Sequence, residues 1–447
     1  MSSTDVVITG LGAVSPLGLT VDHLWQGLCE GKSGIDTIKS FDPTEFPCRS
    51  VGTVPPYRIR DFVPKTYRKA VKLFSRDIEL AVIAAAEAFA DSKLSTKATR
   101  AAQTADSAEP ADITAIDPER TAVNLGAGLI ICDLVELGQA VAECVTDGKF
   151  DIRKFGSEGM LHIPPLWLLK YLPNMLACHV AIIHDIQGPN NTITCAEASA
   201  QLAIIEAVDI IARGSSDVAL AGAAETRISP LAIARQSLLK RVAEKYNDSP
   251  SQACRPFDAD ASGSVFGEAG AVVVLENMEN AQSRKADILA RVAGTGQSCS
   301  INPQLERLEP DGTGLAIAIE QALTNANITP DQLDLIIPHG TAIAADDLAE
   351  AKAIESVLGE AVKTVPVWPT KSLLSNTGAA GGGLDLIAAV CAMKNNFIPP
   401  AANLDKKAPG CNLNIVCEPV EKKIRYALCC SYTYGGQTTA VVLENVS

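Results

Sequence analysis

The stretch Gly188-Pro-Asn-Asn-Thr-Ile-Thr-Cys-Ala-Glu-Ala-Ser-Ala-Gln201 is the part of the chain from which fold and function are best interpreted. Its first half predicts a strand, and the small residues that follow predict a sharp turn into a helix. A turn of this kind presents one side chain at a helix N-terminus, where an acyl-transferring enzyme would hold its nucleophile. The side chain at this turn is Glu197, so Glu197 is the first candidate functional residue.

Working outward from this turn, short β-branched runs alternate with Ala-rich helical stretches in both directions. On the N-terminal side we predict a strand, a turn-rich loop, a helix and a strand at Val6–Thr9, Gly10–Gly18, Asp77–Ser92 and Thr121–Leu125. On the C-terminal side we predict helices at Gln201–Arg213 and Thr313–Asn325, and strands at Asp217–Ala221, Val272–Leu275, Ile288–Ala293, Leu333–Ile337 and Thr439–Leu443. This alternation predicts an α/β fold with layered sheets.

Composition excludes several classes of function. The chain has 447 residues, which is long enough for two similar halves, and its charged fraction of 20% is ordinary for a globular protein. A net charge of −14 argues against nucleic acid or an anionic membrane as a partner. The thirteen cysteines show no C-x-x-C or metal-ligand spacing, so we expect reduced thiols, a cytoplasmic location, no metal and no other cofactor.

Three further segments are interpreted from their composition. The apolar stretch 161–184 is interrupted by Lys170, Pro173 and His179, so we expect it not to span a membrane. Residues 95–118 are rich in Ala, Ser, Thr and Asp, and we interpret them as a solvated, flexible insertion. The strand–helix pattern restarts after residue 285, which predicts an N-terminal half at 1–284 and a C-terminal half at 285–447.

Several short motifs carry a resemblance to a known family. They are Val7–Gly18 (VITGLGAVSPLG), Gly188–Asn190 (GPN), Ala221–Glu225 (AGAAE), Arg255–Asp258 (RPFD), Gly267–Gly270 (GEAG), His339–Thr341 (HGT), Lys371 and Gly435–Gly436. In order and spacing they resemble the elongating β-ketoacyl-acyl carrier protein synthases of the thiolase superfamily, over nearly the whole chain. The resemblance implies a five-layer αβαβα fold from two pseudo-duplicated halves, and an obligate dimer.

The resemblance implies a nucleophilic cysteine, which this chain lacks. Counting from Gly188, the cysteine position falls on Glu197, while Cys195 lies two residues earlier. In the family this cysteine takes the acyl group from the thioester of the carrier protein, and its position at a helix N-terminus favours the thiolate. A carboxylate accepts an acyl group poorly, because the resulting anhydride is too reactive to hold a growing chain.

The family also uses two histidines and a lysine. His339 matches the first histidine and Lys371 matches the lysine, for which we expect an acidic partner such as Glu350. The second histidine falls on Asn376, or on Ser375 if the alignment shifts by one residue. By resemblance, Glu197, His339, Lys371 and Asn376 are therefore the candidate catalytic positions.

The family's Phe-Gly-Phe gate is also altered. It appears here as Tyr432, Thr433 and Tyr434, followed by Gly435. A β-branched residue at the central position restricts the backbone, so an opening gate is less easily formed than with glycine.

Three functions follow from these departures. The first is a non-condensing partner that resembles the cysteine-less chain-length factor, acts on carrier-bound acyl chains and pairs with a cysteine-containing ketosynthase. Such partners usually carry glutamine at the position of Glu197. The second is a malonyl-carrier protein decarboxylase, or a condensing enzyme without a covalent intermediate, that uses Glu197 and His339; protonated Glu197 would then imitate glutamine. The third is a homodimer that binds acyl thioesters or acyl carrier protein without chemistry.

Overall fold

Strands and helices alternate along the computed structural model, which describes residues 5–102, 113–302 and 307–446. Its strands are β1 (Val6–Val14), β2 (Ile35–Thr37), β3 (Ser50–Gly52), β4 (Leu94–Ser95), β5 (Thr114–Ala115), β6 (Thr121–Ala127), β7 (Val145–Thr146), β8 (Lys149–Phe150), β9 (Asn190–Ile193), β10 (Val218–Thr226), β11 (Glu268–Asn277), β12 (Ala290–Cys299), β13 (Leu335–Ile337), β14 (Phe397–Ile398), β15 (Val420–Glu421), β16 (Tyr426–Tyr432) and β17 (Gln437–Glu444). Its α-helices are α1 (Val21–Cys29), α2 (Arg76–Asp91), α3 (Lys97–Ala102), α4 (Leu134–Ala142), α5 (Ile152–Ser157), α6 (Met175–His184), α7 (Ser199–Ala212), α8 (Pro230–Leu238), α9 (Met278–Ser283), α10 (Thr313–Ala326), α11 (Ala344–Leu358), α12 (Lys371–Leu374) and α13 (Gly381–Asn395).

The main sheet shows an internal duplication. Its strand order is β13-β16-β17-β12-β1-β11-β10-β6-β9. Reading outward from the centre, β1, β11, β10 and β6 correspond to β12, β17, β16 and β13, and the two series share the same sequence of antiparallel, antiparallel and parallel pairings. Among the described residues, the two series pair where Val7 and Ile8 of β1 lie opposite Arg291 and Ala290 of β12. The two pseudo-duplicated halves are therefore confirmed.

Helices cover both faces of each half of the sheet, and the alternation of strand side chains shows how. In β10, Val218 and Leu220 pack into the cluster formed with α2 and α6, whereas Ala219 and Ala221 pack into the cluster that contains α7 and α13. In the other half, α10 and α11 cover the outer face of β13, β16 and β17. From one outer face to the other, the layers are α2 and α6, the N-terminal half of the sheet, α7 and α13, the C-terminal half of the sheet, and α10 and α11. This order confirms the predicted five layers.

The helix layers repeat the duplication of the strands. Helix α2 follows β1 as α10 follows β12, and both lie on outer faces. Helix α7 precedes β10 as α13 precedes β16, and both lie in the middle layer. Residues 381–393 of α13 are buried, which explains why this part of the helix is apolar on all sides apart from Asp385.

The predicted loop at Gly10–Gly18 is wrong for its first part, because β1 continues to Val14. Glycine serves close packing here. A Cβ on Gly10 would lie 2.4 Å from the carbonyl oxygen of Ala88, and a Cβ on Gly12 would lie 2.0 Å from that of Ala84. Helix α2 therefore approaches the strand backbone so closely that only glycine fits.

The predicted insertion at 95–118 is ordered and packed at both ends. Strand β4 pairs in parallel with β5, and the Thr96 Oγ1 lies 2.8 Å from Nδ1 of His184. Thr96 and Ile116 are buried, so the interpretation of these ends as solvated is wrong. Residues 103–112, where the rest of the prediction falls, lie outside the described residues. Within the described parts of the chain, no helix combines the length and apolar character needed to cross a bilayer.

Candidate active site

The candidate site lies where the two helices of the middle layer begin. After β9 the backbone reverses at Ala196, with φ of 43°, and a 3-10 turn at Ala196–Ala198 leads into α7. A second 3-10 turn at Gly378–Ala380 leads into α13 in the same way. The carboxylate of Glu225 accepts a 2.6 Å hydrogen bond from the backbone N–H of Ala379. Two helix N-termini thus place partial positive charge at one buried point.

Glu197 is buried at this point and forms an ion pair. Its Oε1 accepts a 2.6 Å hydrogen bond from Nη1 of Arg227, and both side chains are less than 10% exposed. Arg227 also donates from Nε to Oε1 of Glu225 at 3.0 Å. One guanidinium therefore holds two buried carboxylates, from the strand–helix turn and from the end of β10.

The charge state of Glu197 follows from these neighbours. Burial opposes ionisation, but the guanidinium groups of Arg227 and Arg241 outweigh it and lower the pKa of Glu197 to about 2. The carboxylate is therefore ionised at neutral pH. The condition for imitating glutamine, a protonated Glu197, is not met.

A second buried arginine extends the charged cluster. Nη2 of Arg241 lies 3.1 Å from Oδ2 of Asp346, and both side chains are almost fully buried. The guanidinium of Arg241 also stacks over the ring of Tyr434 at 5.0 Å from the ring centroid. The space around Glu197 is therefore lined by ions from both halves of the chain.

His339 is held through its backbone, and its ring is free of hydrogen bonds. The N–H groups of His339 and Gly340 donate to the two carboxylate oxygens of Glu350, at 2.6 and 2.8 Å. Neither ring nitrogen of His339 has a hydrogen-bond partner in the described parts of the chain. Burial and the nearby Lys371 ammonium lower the pKa of His339 well below its usual value, so the imidazole is neutral.

Lys371 has the expected acidic partner, but that partner is Asp385 and not Glu350. Its Nζ lies 2.5 Å from Oδ2 of Asp385, in the middle of α13, and both residues are buried. The carboxylate of Glu350 is already occupied by the two backbone N–H groups at 339 and 340. Lys371 therefore joins the start of α12 to the middle layer.

Asn376, one of the two residues that the resemblance assigns to the second histidine, is fixed by its backbone. Its N–H donates to the carbonyl of Val265 at 2.8 Å, and its carbonyl accepts from Gly267 at 2.9 Å. Its Oδ1 accepts from the N–H of Gly378, whereas Nδ2 has no hydrogen-bond partner among the described residues. Ser375, the alternative position, is also buried and has a positive φ of 66°. The structure places an amide donor and a hydroxyl here, and neither is an imidazole.

Of the predicted gate residues, Thr433, Tyr434 and Gly435 lie in the turn between β16 and β17, whereas Tyr432 is the last residue of β16. Thr433 donates its N–H to the carbonyl of Gln437 at 2.9 Å, and its own carbonyl accepts from Gly436 at 2.9 Å. The hydroxyl of Tyr434 accepts a 2.8 Å hydrogen bond from Nη2 of Arg235, while Arg241 covers the ring. Tyr434 is therefore held between two arginines.

A pocket of about 340 Å³ opens from the surface toward this turn. Its walls include Ala196, Arg227, Arg235 and Tyr434. Tyr432 lies behind the gate turn, fully buried, with its ring 4.5 Å from the ring of His339. The structure thus places Tyr434 on one pocket with Arg227, the partner of Glu197, and brings His339 close enough to Glu197 for an electrostatic interaction.

The sequence interpretation missed the ions that surround Glu197. They are Glu225, Arg227, Arg241 and Asp346, and the interpretation also missed Asp385, the partner of Lys371. A signal was present, because a charged residue within an otherwise apolar segment is expected only when it has a partner. Asp385 interrupts an apolar helix in this way. No cluster of three or more His, Cys, Asp or Glu side chains in the described ranges has the arrangement of a metal site.

Comparison with known proteins places this site in a family. Residues 3–281 match the β-ketoacyl synthase N-terminal domain, and residues 289–405 match the corresponding C-terminal domain. The 3-oxoacyl-[acyl-carrier-protein] synthase 2 of Vibrio cholerae is 32% identical over 450 residues, with 100% of both chains covered. The enzyme of the same name from Coxiella burnetii is 32% identical over 449 residues, again with 100% of both chains covered.

Solved structures agree with this assignment. The ishigamide ketosynthase/chain length factor superposes with a TM-score of 0.81 at 26% identity, and 100% of both chains is covered. A β-ketoacyl synthase from Burkholderia phymatum superposes with a TM-score of 0.82 at 26% identity, covering 99% of this chain and 100% of that one. Since both domains match and full-length members share 32% identity, the chain belongs to the β-ketoacyl synthase family.

Proposed function

We propose that the chain is a non-condensing, chain-length-factor-type subunit that pairs with a cysteine-containing ketosynthase and acts on carrier-bound acyl chains in fatty acid or polyketide biosynthesis. The observation that carries this proposal is the buried ion pair of Glu197 with Arg227 at the nucleophile position. A carboxylate with a pKa of about 2 is anionic at physiological pH, and it offers no thiolate to an acyl group.

The same charge also disfavours binding of a malonyl group. A malonyl carboxylate that approaches Glu197 meets a second anion, and at 4 Å two such charges repel by about 4 kcal/mol at an effective dielectric of 20. Arg227 does not relieve this repulsion, because its guanidinium is already shared between Glu197 and Glu225. This supports a subunit that does not condense.

An acidic carrier protein requires a local basic surface, since the whole chain carries a charge of −14. The segment 58–72 supplies one. In it, one exposed acidic residue, Asp61, accompanies six exposed basic residues, which are Arg58, Arg60, Lys65, Arg68, Lys69 and Lys72. We therefore assign carrier-protein contact to this segment. A related structure contains a type II polyketide ketosynthase in complex with its acyl-carrier protein.

A partner subunit would cover apolar surface that is otherwise exposed to water. Many exposed large apolar side chains of the described residues fall within 129–168, and Val135, Ile152 and Leu161 are 86%, 69% and 82% exposed. Strand β9 lies at one end of the main sheet, and its outer edge pairs with no other strand among the described residues. Both features support assembly with a second ketosynthase-like subunit.

One observation favours the decarboxylase as a second candidate. The neutral ring of His339 and the Nδ2 of Asn376 have no hydrogen-bond partners among the described residues. Both can donate to an oxyanion, which is the role that two histidines play in the family. Without a protonated or neutral residue at 197, however, the malonyl carboxylate lacks a favourable place.

Mass spectrometry of intact malonyl-carrier protein, incubated with this chain alone, distinguishes the two candidates. The proposed subunit leaves malonyl-carrier unchanged relative to a sample without enzyme. Acetyl-carrier above that background would instead establish the decarboxylase, and Glu197→Ala and His339→Ala would then abolish the activity.

The subunit proposal has a second, independent test. Co-expression with a cysteine-containing ketosynthase from the same source is expected to yield a stable heterodimer by size-exclusion chromatography and native mass spectrometry. Val135→Asp combined with Leu161→Asp is expected to reduce that assembly, while Lys363→Asp on an exposed surface elsewhere leaves it intact. A chain that remains a homodimer in the presence of every such homologue would contradict the proposal.

A further inference from the structure

Arg227 fills space as well as carrying charge beside position 197. It lines the pocket that leads to the turn, and its guanidinium stacks over the ring of Phe266 at 5.4 Å. We infer that Arg227 closes the acyl-binding space of this subunit, so that a nucleophile restored at position 197 stays unacylated while Arg227 is present. The inference rests on the proposed function, because it concerns the same site.

Arg227 is anchored independently of Glu197. Its Nε donates to Glu225 at 3.0 Å, and Glu225 is itself held by the N–H of Ala379 at 2.6 Å. A change at position 197 removes one contact of the guanidinium and leaves the other contacts in place. The arginine is therefore expected to keep its position in a Glu197→Cys variant.

The backbone is shaped around this ion group. A Cβ added to Gly128 would lie 2.0 Å from the carboxyl carbon of Glu225, and one added to Gly378 would lie 1.9 Å from its Oε2 and 2.7 Å from Nε of Arg227. Both segments therefore pack directly against Glu225, and the segment of Gly378 packs against Arg227 as well. The guanidinium has little room to move aside for a ligand.

An acyl chain is poorly matched to this environment. The first methylene groups of a chain attached at position 197 would lie beside Arg227, Arg241 and the carboxylates that hold them. Alkyl groups give these ions no hydrogen bonds, and displacing a paired ion without a new partner is costly. The charged cluster therefore excludes an acyl chain even where chemistry at position 197 would allow one.

Acylation of an introduced thiol tests this directly. In that reaction the thiolate sulfur attacks the carbonyl carbon of an acyl thioester, a new carbon–sulfur bond forms, and the original carbon–sulfur bond breaks. The thiol released from the thioester takes up the proton that the attacking thiol has lost. A medium-chain acyl thioester of N-acetylcysteamine serves as the probe, because it does not depend on docking of a carrier protein.

The comparison needs matched variants of the full chain. They are Glu197→Cys, Glu197→Cys with Arg227→Ala, the same pair with Glu225→Gln, and Glu197→Cys with Arg235→Ala. Glu225→Gln removes the carboxylate that loss of Arg227 leaves unpaired, so one variant without the arginine keeps a balanced site. Arg235 lines the same pocket but contacts Tyr434 and not Glu197, so Arg235→Ala widens the entrance alone.

Intact mass and peptide mapping measure acylation at position 197, and circular dichroism and thermal unfolding identify the folded variants. Replacing Arg227 with alanine in the Glu197→Cys chain is expected to raise the acylation rate by about 100-fold, because the acyl group no longer has to displace a buried, paired ion. Equal acylation of Glu197→Cys with and without Arg227, or an equal gain from Arg235→Ala, would overturn the inference. Turnover of malonyl-carrier by the unsubstituted chain would overturn the proposed function instead, and it leaves this comparison unchanged.

Discussion

The two halves of the molecule contribute unequal parts to one site, although their strands and helices correspond. The N-terminal half supplies the turn before α7, where Glu197 is held by Arg227. The C-terminal half supplies the turn before α13, together with His339 and the Lys371–Asp385 pair. The backbone of the HGT motif is held by the side chain of Glu350, whereas the turn before α7 is held by a buried ion pair. Corresponding elements of the two halves therefore carry different side chains at the site.

The largest effect is expected at the N-terminal turn. Arg227→Ala leaves Glu197 and Glu225 buried without their shared cation, and we expect it to lower the free energy of unfolding by about 3–5 kcal/mol. Urea unfolding, followed by circular dichroism, measures this change. Removing the cation and one carboxylate together, as Arg227→Ala with Glu197→Gln, is expected to recover part of the loss.

An exposed ion pair provides the control for this measurement. Lys363 and Glu360 are 67% and 90% exposed, and Lys363→Ala is expected to cost less than about 1 kcal/mol. If Arg227→Ala has no larger effect than Lys363→Ala, the buried cluster does not hold the N-terminal turn.

A smaller effect is expected from the pair in the C-terminal half. Lys371→Met leaves Asp385 with the hydroxyl of Thr370 as a remaining donor, so we expect a loss of about 2–4 kcal/mol. Burial raises the pKa of Asp385, so protonation of this carboxyl relieves part of the cost. The double change Lys371→Met with Asp385→Leu is expected to be near neutral, and a loss as large as for Lys371→Met would show that the lysine acts through other contacts.

The two halves are also expected to respond to pH with opposite sign. Burial raises the pKa of Glu350 to about 8 from a usual 4.5, so the folded state binds the extra proton between these values. Its contribution to stability is therefore lost as pH rises from about 4.5 to about 8. The pKa of Glu197 is lowered to about 2, so its contribution is complete above about 4.5 and is lost as pH falls toward 2.

Each dependence is removed by its own substitution. Above pH 5, Glu350→Gln is expected to reduce the fall in the free energy of unfolding with rising pH, by up to about 1.4 kcal/mol per pH unit. Below pH 4.5, Glu197→Gln is expected to reduce the fall in the free energy of unfolding with falling pH. Unfolding free energies measured from pH 3 to 8 check both, with exposed Glu418→Gln as the control. Parallel curves for Glu350→Gln and the unsubstituted chain would contradict this assignment.

Sequence patterns predicted the scaffold better than the site. The helix predicted at Asp77–Ser92 is α2 at Arg76–Asp91, since apolar periodicity reports directly which face is buried. The loop predicted at Gly10–Gly18 was wrong because glycine serves both turns and close packing, and one sequence does not separate these uses. The pairing of Arg227 with Glu197 and that of Arg241 with Asp346 were missed because these partners lie on distant segments, which only the folded chain brings together.

A substitution in the predicted gate is expected to have the smallest effect on stability. The gate belongs to the C-terminal half, but Arg235 and Arg241 of the N-terminal half hold Tyr434 in place. Thr433→Gly introduces glycine at the central position of the predicted gate, and its added backbone freedom is expected to lower the free energy of unfolding by about 0.5–1 kcal/mol. Tyr434 remains between Arg235 and Arg241, so hydrogen exchange of the amides at 433–436 is expected to rise only slightly.

Releasing that clamp separates the two contributions. Thr433→Gly combined with Arg235→Ala removes the hydrogen bond to the Tyr434 hydroxyl, and we expect faster exchange than with either change alone. If Thr433→Gly alone gives the full increase, the threonine restrains the gate by itself and the arginines do not. If neither change affects exchange, the turn is held by its own backbone hydrogen bonds between Thr433, Gly436 and Gln437. The arginines of the N-terminal half would then not be needed to keep the gate closed.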